Sequence, residues 1–335
     1  MKRKKLTASM IALVMSVSLP MTTYAANWYL EDGSVTVNAD NSGQTVTQGS
    51  TSTPDEAPVI TQRGSSAETS NTIAINASDN ATANVTIKDI NIKSSKDAID
   101  VTGSSSANIT LEGDNKIFSE TGSALHVSDG NVTINGSGSL KAEIQDDLGS
   151  DYNHNAKIGS HEKEAMSGSI HITGDATVKT DGNIAPDCGG DGAGIGTGEN
   201  GEMSGNIVID GNAQVEVSSN DRGAGIGSGD DGNLSGNIMI GGNAQVSATG
   251  AKGSAGIGTG DDGNFTGSIT MDGNARVTAK AGGDHNGSDG SGIGTGDEGR
   301  FTGTVTIGGN AAVVAAGSDE GCGIGSSDWK YMNGI

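Results

Sequence analysis

The sequence predicts an all-β fold, a right-handed parallel β-helix (solenoid) with three short strands per coil and coils of about 23–31 residues. Two tripeptides that recur in register, and the alternation of apolar residues between them, carry this prediction. The first is Gly-Ile-Gly, with isoleucines at Ile195, Ile226, Ile257, Ile293 and Ile324 and a forerunner, Lys-Ile-Gly, at Ile158. The second is Gly-Asn-Ala, which starts at Gly211, Gly242, Gly273 and Gly309, with a forerunner, Gly-Asp-Ala, at Gly174. The offset from isoleucine to glycine is constant, so all length variation falls after Gly-Asn-Ala, as expected of stacked units with insertions at one corner.

Residues 1–25 are predicted to be a secretory signal peptide. Four basic residues precede an apolar stretch, and Thr23-Tyr24-Ala25 places small residues where a signal peptidase cleaves. Serines, threonines and Pro20 interrupt the apolar stretch, which is too short for the roughly 20 apolar residues of a membrane anchor. We therefore expect a secreted or cell-surface protein with no membrane insertion.

The chain is strongly acidic, with 41 acidic and 19 basic residues and a net charge of −22. Removal of the four basic residues of the signal leaves 15 − 41 = −26. Such a surface repels nucleic acid and anionic lipid and attracts divalent cations. The composition therefore excludes nucleic acid as a partner.

Residues 26–70 are low in complexity and are expected to form an N-terminal cap or linker with one strand, Ser34 to Asn38. Residues 71–156 are expected to form shorter coils of the same stack. Their first strands, at 84–87, 108–111 and 131–134, recur at nearly constant spacing. Second strands follow at 90–92, 116–118 and 139–142, and third strands at 98–101 and 124–127.

Residues 157–335 are predicted to be the regular Gly-Ile-Gly coils. After Ile226, apolar residues alternate at period two in short segments separated by Gly, Asn and Asp, which indicates strands with one inward face. A helical solenoid is excluded because glycines interrupt every ten-residue window. A calcium-loaded nonapeptide roll is excluded because no nine-residue period occurs. The repeat stops just after a Gly-Ile-Gly, so we expect further coils or an anchor beyond Ile335. The alternative is a short cap that contains Trp329 and Tyr331.

The register predicts where individual residues lie. Cys188 and Cys322 fall four coils apart, or about 19 Å, which is too far for a disulfide. Phe265 and Phe301 share a column with Leu234 and are assigned to the core. One further column consists of asparagines that we expect to turn corners in left-handed geometry and to form a stacked amide ladder: Asn212, Asn243, Asn274 and Asn310.

Two parts of the chain resemble a known family. Ile90-Asn91-Ile92, Ala98-Ile99-Asp100-Val101 and Asn108 to Gly113 resemble the opening coils of secreted clostridial-type β-helix proteins with carbohydrate-binding domains. The Gly-Ala-Gly-Ile-Gly coils from residue 192 onward are similar to repeats of large surface proteins of Gram-positive bacteria. The resemblance covers most of residues 80–328 and implies extracellular binding of acidic plant cell-wall polysaccharide with calcium assisting. It implies no catalytic residue.

The acidic turn after each Gly-Ile-Gly is the candidate metal site. Its first acidic residue follows each isoleucine at the same offset, so stacking would place carboxylates in a column about 4.8 Å apart. Calcium, which takes six to eight oxygen ligands, would relieve their repulsion. Solvated acidic loops with screened charges are the alternative. The candidate ligands are Glu199, Asp230, Asp231, Asp261, Asp262, Asp297, Glu298 and Asp328.

A pectinase-type lyase or hydrolase is the main catalytic alternative. Such enzymes need basic residues beside clustered acids, but the basic residues among the regular repeats share no column, and acidic pairs recur in several coils. Histidines at 154, 161 and 171 cluster ahead of the regular coils, whereas His126 and His285 stand apart. We therefore expect no enzyme activity and assign no catalytic residue.

The expected function is extracellular binding of a polysaccharide that contains uronic acid, by a monomer. Exposed aromatic platforms for neutral sugars are scarce, since aromatic residues make up 3% of the chain. The alternative of another class is a non-catalytic adhesin stalk or spacer.

Overall fold

The chain folds into a parallel β-helix with three strands per coil, as predicted. The computed structural model describes residues 25–64, 66–104, 106–145, 152–181, 190–283 and 289–327. The strands form three sheets along the coil stack, which we call sheet 1 (10 strands), sheet 2 (8 strands) and sheet 3 (12 strands). Within these ranges there is no α-helix, and hence no helix long and apolar enough to cross a membrane.

The N-terminal region contains five strands and one 3-10 turn, whereas the sequence predicted a single strand. Strand β2 contains most of the predicted segment and pairs antiparallel with β3, which pairs antiparallel with β4. The additional strands were missed because they are rich in Thr, Ser and Gln, which look like low complexity although threonine favours strands. The elements are β1 Asn27–Tyr29, the 3-10 turn Leu30–Asp32, β2 Val35–Asp40, β3 Gly43–Gln48, β4 Thr51–Pro54 and β5 Val59–Thr61.

The shorter coils that follow contain the predicted strands, with one change of register. Asn84 pairs with Asn108 as expected, but Asn108 pairs with Thr133 rather than with Asn131. A shift of two residues leaves the same side chains pointing inward, so alternation alone could not reveal it. The strands are β6 Ile73–Ala77, β7 Thr82–Lys88, β8 Asn91–Ser94, β9 Ile99–Thr102, β10 Ser106–Glu112, β11 Asp114–Ser119, β12 Leu125–Val127, β13 Asn131–Gly136 and β14 Ser139–Ile144.

The regular coils repeat one pattern: a two-residue Ile-Gly strand in sheet 3, a four-residue strand in sheet 1 and a strand of four to eight residues in sheet 2. Each isoleucine pairs with the isoleucine of the next coil, from Ile158 to Ile324. The strands are β15 Ile158–Gly159, β16 Ser169–Ile172, β17 Thr177–Thr180, β18 Ile195–Gly196, β19 Asn206–Ile209, β20 Gln214–Ser218, β21 Ile226–Gly227, β22 Asn237–Ile240, β23 Gln245–Lys252, β24 Ile257–Gly258, β25 Ser268–Met271, β26 Arg276–Gly282, β27 Ile293–Gly294, β28 Thr304–Ile307, β29 Ala312–Ala316 and β30 Ile324–Gly325.

The core is a set of apolar columns that run along the stack. Met203, Leu234, Phe265 and Phe301 form successive β-bridges, and all four are buried as predicted. The rings of Phe265 and Phe301 meet edge to face with centroids 5.0 Å apart. Burial of a large apolar side chain contributes about 1.5–3 kcal/mol, so each added coil stabilises its neighbours.

Glycine is required at two points of the repeat. Gly227 has a φ of 137°, and a Cβ there would lie 1.8 Å from the carbonyl oxygen of Gly258. Gly242 has a φ of 62° and turns the corner in Gly-Asn-Ala. The left-handed residue of this corner is therefore the glycine, and the prediction that asparagine adopts that conformation is wrong.

The predicted asparagine ladder is present. Each side-chain amide donates to the amide oxygen of the preceding coil, at 2.9 Å for Asn243 to Asn212, 3.0 Å for Asn274 to Asn243 and 3.1 Å for Asn310 to Asn274. At the start of the ladder Asn212 donates to Asp175. The column is structural.

The half-buried Cys322 is a free thiol. Cys188, which we predict to be too far from Cys322 for a disulfide, lies outside the described residues, so the separation of the two cysteines stays a prediction.

Candidate functional site

The acidic turns that follow Gly-Ile-Gly stack on one another along one corner of the helix, which we call the acidic corner (residues 199–202, 230–233, 261–264 and 297–300). Backbone hydrogen bonds join each turn to the next: Asn200 N to Asp230 O at 2.7 Å, Asp231 N to Asp261 O at 2.9 Å and Asp262 N to Asp297 O at 2.9 Å. A buried hydroxyl closes each turn, as when Ser228 Oγ donates to Gly232 O at 2.6 Å. The backbone therefore fixes the spacing of the carboxylates.

The two acidic residues of each turn differ in conformation and exposure. Asp231 and Asp262 are exposed and have left-handed φ angles of 54° and 55°. The preceding residue points toward the protein, so Asp230 is buried and Asp261 is half-buried. Asp230 and Asp261 each also accept the backbone N–H of the following residue, at 3.2 and 3.1 Å. The inner column is thus where the carboxyl groups are least exposed to solvent.

The pKa of Asp230 is raised to about 8, mainly by burial. The nearby carboxylates of Asp191 and Asp261 contribute to the same upward shift. Burial also raises the pKa of Asp261 to about 7, together with its neighbours Asp262 and Asp297. The guanidinium of Arg222 opposes both shifts but lies 3.9 Å from Asp230. The fold thus confines carboxyl groups that would be more stable with a bound cation or a proton.

Of the predicted ligands, Asp230, Asp231, Asp261, Asp262, Asp297 and Glu298 lie in the acidic corner as stacked turns. Asp328 lies outside the described residues. Glu199 has a different environment, because His154 lies between it and Asp191. The Nδ1 atom of His154 is 2.8 Å from Glu199 Oε2 and 2.9 Å from Asp191 Oδ2.

A second candidate surface, which the sequence did not indicate, lies on the outer face of sheet 2. Lys116, Lys141 and Lys179 are in register on β11, β14 and β17, so three lysines form one row across adjacent coils. They are unequally spaced along the chain because the coils that carry them differ in length. Alignment of the strand that starts at Ser139 with the strand that starts at Asp114 would have predicted the row, because it places Lys141 next to Lys116.

The row borders a groove of about 360 Å³, which we call the basic groove. Phe118, half-buried, forms part of its floor, and Lys93 Nζ lies 5.5 Å from the ring centroid. Lys141 is paired with Glu143 at 3.0 Å and with Asp181 at 2.5 Å. No carboxylate of the described residues lies within ion-pair distance of Lys93 or Lys116. The remaining lining residues are Glu68, Asn91, Ile92 and Ile117.

The same face continues along the stack as a second, shallower depression of about 290 Å³. It is lined by hydrogen-bonding side chains on β17, β20, β23 and β26, including Gln214, Gln245 and Arg276. From β8 to β26 the face crosses seven neighbouring strands, or about 29 Å at about 4.8 Å per strand. It could accommodate an extended, polar, anionic chain.

A histidine pair lies near the N-terminal end of the acidic corner. The rings of His126 and His161 are stacked, with centroids 4.0 Å apart. His126 contacts Asp100 through Nδ1 and Glu164 through Nε2, both at 2.8 Å. Burial opposes a charge on His126, but these two hydrogen bonds outweigh it and raise its pKa to about 9. His126, which stands alone in the sequence, is therefore one member of a cluster in which both of its ring nitrogens are hydrogen-bonded.

Comparison of the chain with models of known protein families, with curated proteins and with solved structures gives no match.

Proposed function

We propose that this protein is an extracellular, non-catalytic carbohydrate-binding β-helix whose ligand is a polysaccharide containing uronic acid. The observation that carries the proposal is the basic groove, where Lys93 and Lys116 have no carboxylate partner among the described residues and lie beside Phe118. An aromatic face can stack on a sugar ring, and an ammonium group can pair with a uronate carboxylate. Export is proposed from the basic and apolar character of residues 1–25.

Because the whole chain is strongly acidic, binding of a polyanion requires a local group of basic residues such as the basic groove. A net charge of −22 repels a polyanion. At physiological ionic strength the Debye length is about 8 Å, so exposed charges further away are largely screened. The lysines next to the ligand would then dominate its electrostatic energy.

We also propose that calcium binds in the acidic corner and assists glycan binding. Support comes from Asp230 and Asp261, whose raised pKa values reflect carboxylates that are crowded and buried. Calcium would replace mutual repulsion with shared coordination. If the melting temperature at low ionic strength is unchanged by EDTA, calcium does not bind there.

The experiment is a binding titration of the signal-free chain with polygalacturonate and with a neutral glucan as reference. We expect polygalacturonate alone to bind and the double variant K93Q/K116Q to weaken binding about tenfold, which corresponds to about 1.4 kcal/mol. F118A should weaken it without changing the salt dependence. The matched control is K88Q, which removes an exposed lysine on sheet 1 that is paired with Glu112 at 3.1 Å.

Two outcomes would overturn this function. Failure to bind any uronic-acid polymer would favour the stalk or spacer. Release of unsaturated or reducing sugar during the titration would favour a pectinase-type enzyme.

A further inference from the structure

The cluster formed by His154, Asp191 and Glu199 is distinct from the rest of the acidic corner because it contains an imidazole nitrogen. His154 precedes β15, Asp191 precedes β18, and Glu199 follows β18, so the cluster joins two successive coils. A backbone hydrogen bond from Glu199 N to His154 O at 2.9 Å joins the two coils at this point. The side chains are 23%, 15% and 21% exposed, respectively.

The polar atoms of this cluster approach closely, but no well-aligned hydrogen bond joins them. His154 Nδ1 is 2.9 Å from Asp191 Oδ2 and 2.8 Å from Glu199 Oε2. Yet Nδ1 is enclosed and has no hydrogen-bond partner among the described residues, and the same is true of Asp191 Oδ1. The two oxygens therefore flank the nitrogen without lying along an N–H direction. An enclosed polar atom without a hydrogen bond destabilises the fold unless a ligand satisfies it.

The histidine pair described above provides an internal comparison. There, both ring nitrogens of His126 make hydrogen bonds with carboxylates, and His161 Nε2 makes one with Asp97 at 2.8 Å. That cluster is satisfied as a charged hydrogen-bond network. The His154 cluster contains the same kinds of groups at the same distances but lacks such a network.

The distances fit a metal coordination shell. Metal–ligand bonds of about 2.1 Å place adjacent ligands about 3.0 Å apart around an octahedral ion and about 3.4 Å apart around a tetrahedral one. The two nitrogen–oxygen separations of 2.9 and 2.8 Å are close to the octahedral value, so solvent would complete a six-coordinate shell. One ligand atom from each of the three residues lies within 4.8 Å of the others. The ring of Tyr152 packs edge-on against His154, with centroids 6.3 Å apart, and restricts the orientation of the imidazole.

We propose that His154 Nδ1, Asp191 and Glu199 bind one divalent transition-metal cation of the Zn²⁺ class and thereby crosslink the first two Gly-Ile-Gly-type coils. Imidazole nitrogen suits zinc and its first-row neighbours, whereas calcium takes oxygen ligands. Two carboxylates neutralise the charge of the ion, and solvent completes its coordination. The site is independent of glycan binding, and it reassigns Glu199 from the calcium column.

The test is calorimetric titration of the metal-free, signal-free chain with Zn²⁺. We expect one tight site, weakened at least tenfold in H154Q and in E199Q. The matched control is H171Q, which removes a half-exposed histidine paired with Asp210 at 3.0 Å and should leave the tight site unchanged.

A second measurement keeps the proposal testable should a variant misfold. X-ray absorption of the zinc-loaded wild type should show one imidazole and several oxygen ligands. Two imidazoles, or loss of the tight site in H161Q with its retention in H154Q, would assign zinc to the histidine pair and overturn the proposal. Equal binding by wild type and H154Q would also overturn it.

Discussion

Replacement of Asp230 by asparagine should stabilise the protein, and increasingly so as the pH rises. Asp230 is 7% exposed, and its pKa is raised to about 8 by burial and by the neighbouring carboxylates of Asp191 and Asp261. Because the ordinary value is 3.8, the folded protein retains a proton that the unfolded chain has lost between pH 3.8 and about 8. Stability must therefore fall with rising pH across this range.

The magnitude follows from the pKa difference. Each pH unit corresponds to about 1.36 kcal/mol, so the titration of Asp230 lowers the free energy of unfolding by about 1.7 kcal/mol at pH 5 and by about 5.5 kcal/mol at pH 8.5. Asparagine has nearly the same shape but cannot ionise. At about 2 °C per kcal/mol, D230N should melt about 3 °C above wild type at pH 5 and about 11 °C above it at pH 8.5.

The assay is thermal unfolding by circular dichroism in EDTA at several pH values between 5 and 8.5. D272N, which alters an exposed aspartate after β25, should follow the wild-type curve. If the difference between D230N and wild type is constant over this range, Asp230 does not titrate as the structure requires. Added calcium should reduce the difference, because it would stabilise wild type more than D230N.

Three further variants test the fold and the histidine pair. In urea unfolding, G227A should destabilise the protein by about 3 kcal/mol or more, because of backbone strain and overpacking. Its control is G308A, where a Cβ meets nothing within 4 Å and the unfolding curve should change little. F265A should cost about 3–5 kcal/mol by leaving a cavity in the core; a loss below about 1 kcal/mol in the same assay would contradict the assignment of the ring to the stacked core. His126 stabilises the fold fully below pH 6.5, and this contribution is lost as the pH rises through about 9; in H126Q the corresponding fall in melting temperature should be absent.

Most of the fold could be predicted because coil stacking converts a repeat in sequence into a neighbour in space. The offset from the Gly-Ile-Gly isoleucine to the Gly-Asn-Ala glycine, as from Ile226 to Gly242, is the same from coil to coil, so columns such as the asparagine ladder could be inferred directly. The polar strands β3 and β4 could not, because they belong to no repeat and their antiparallel pairing lies outside the coil pattern. The register of β13 also depended on packing rather than on alternation.

The candidate sites were less predictable. The acidic corner follows from the repeat, although the sequence could not distinguish buried Asp230 from exposed Asp231, since both are aspartates in one turn. Lys116 and Lys141 belong to shorter coils of unequal length, so no constant period joins them. The contact between His126 and His161 likewise arises across coils at different positions within them.

The sequence by itself determined the parallel β-helix, its three-stranded coil and the inward-facing residues, because those properties depend on local periodicity and on glycines that no other residue can replace. Only the tertiary structure decided which polar side chains meet and how far they are buried. Burial sets the pKa of Asp230, and the alignment of unequal coils creates both the basic groove and the His154 cluster. These features depend on contacts between side chains of different coils, and the spacing of repeats along the sequence does not specify those contacts.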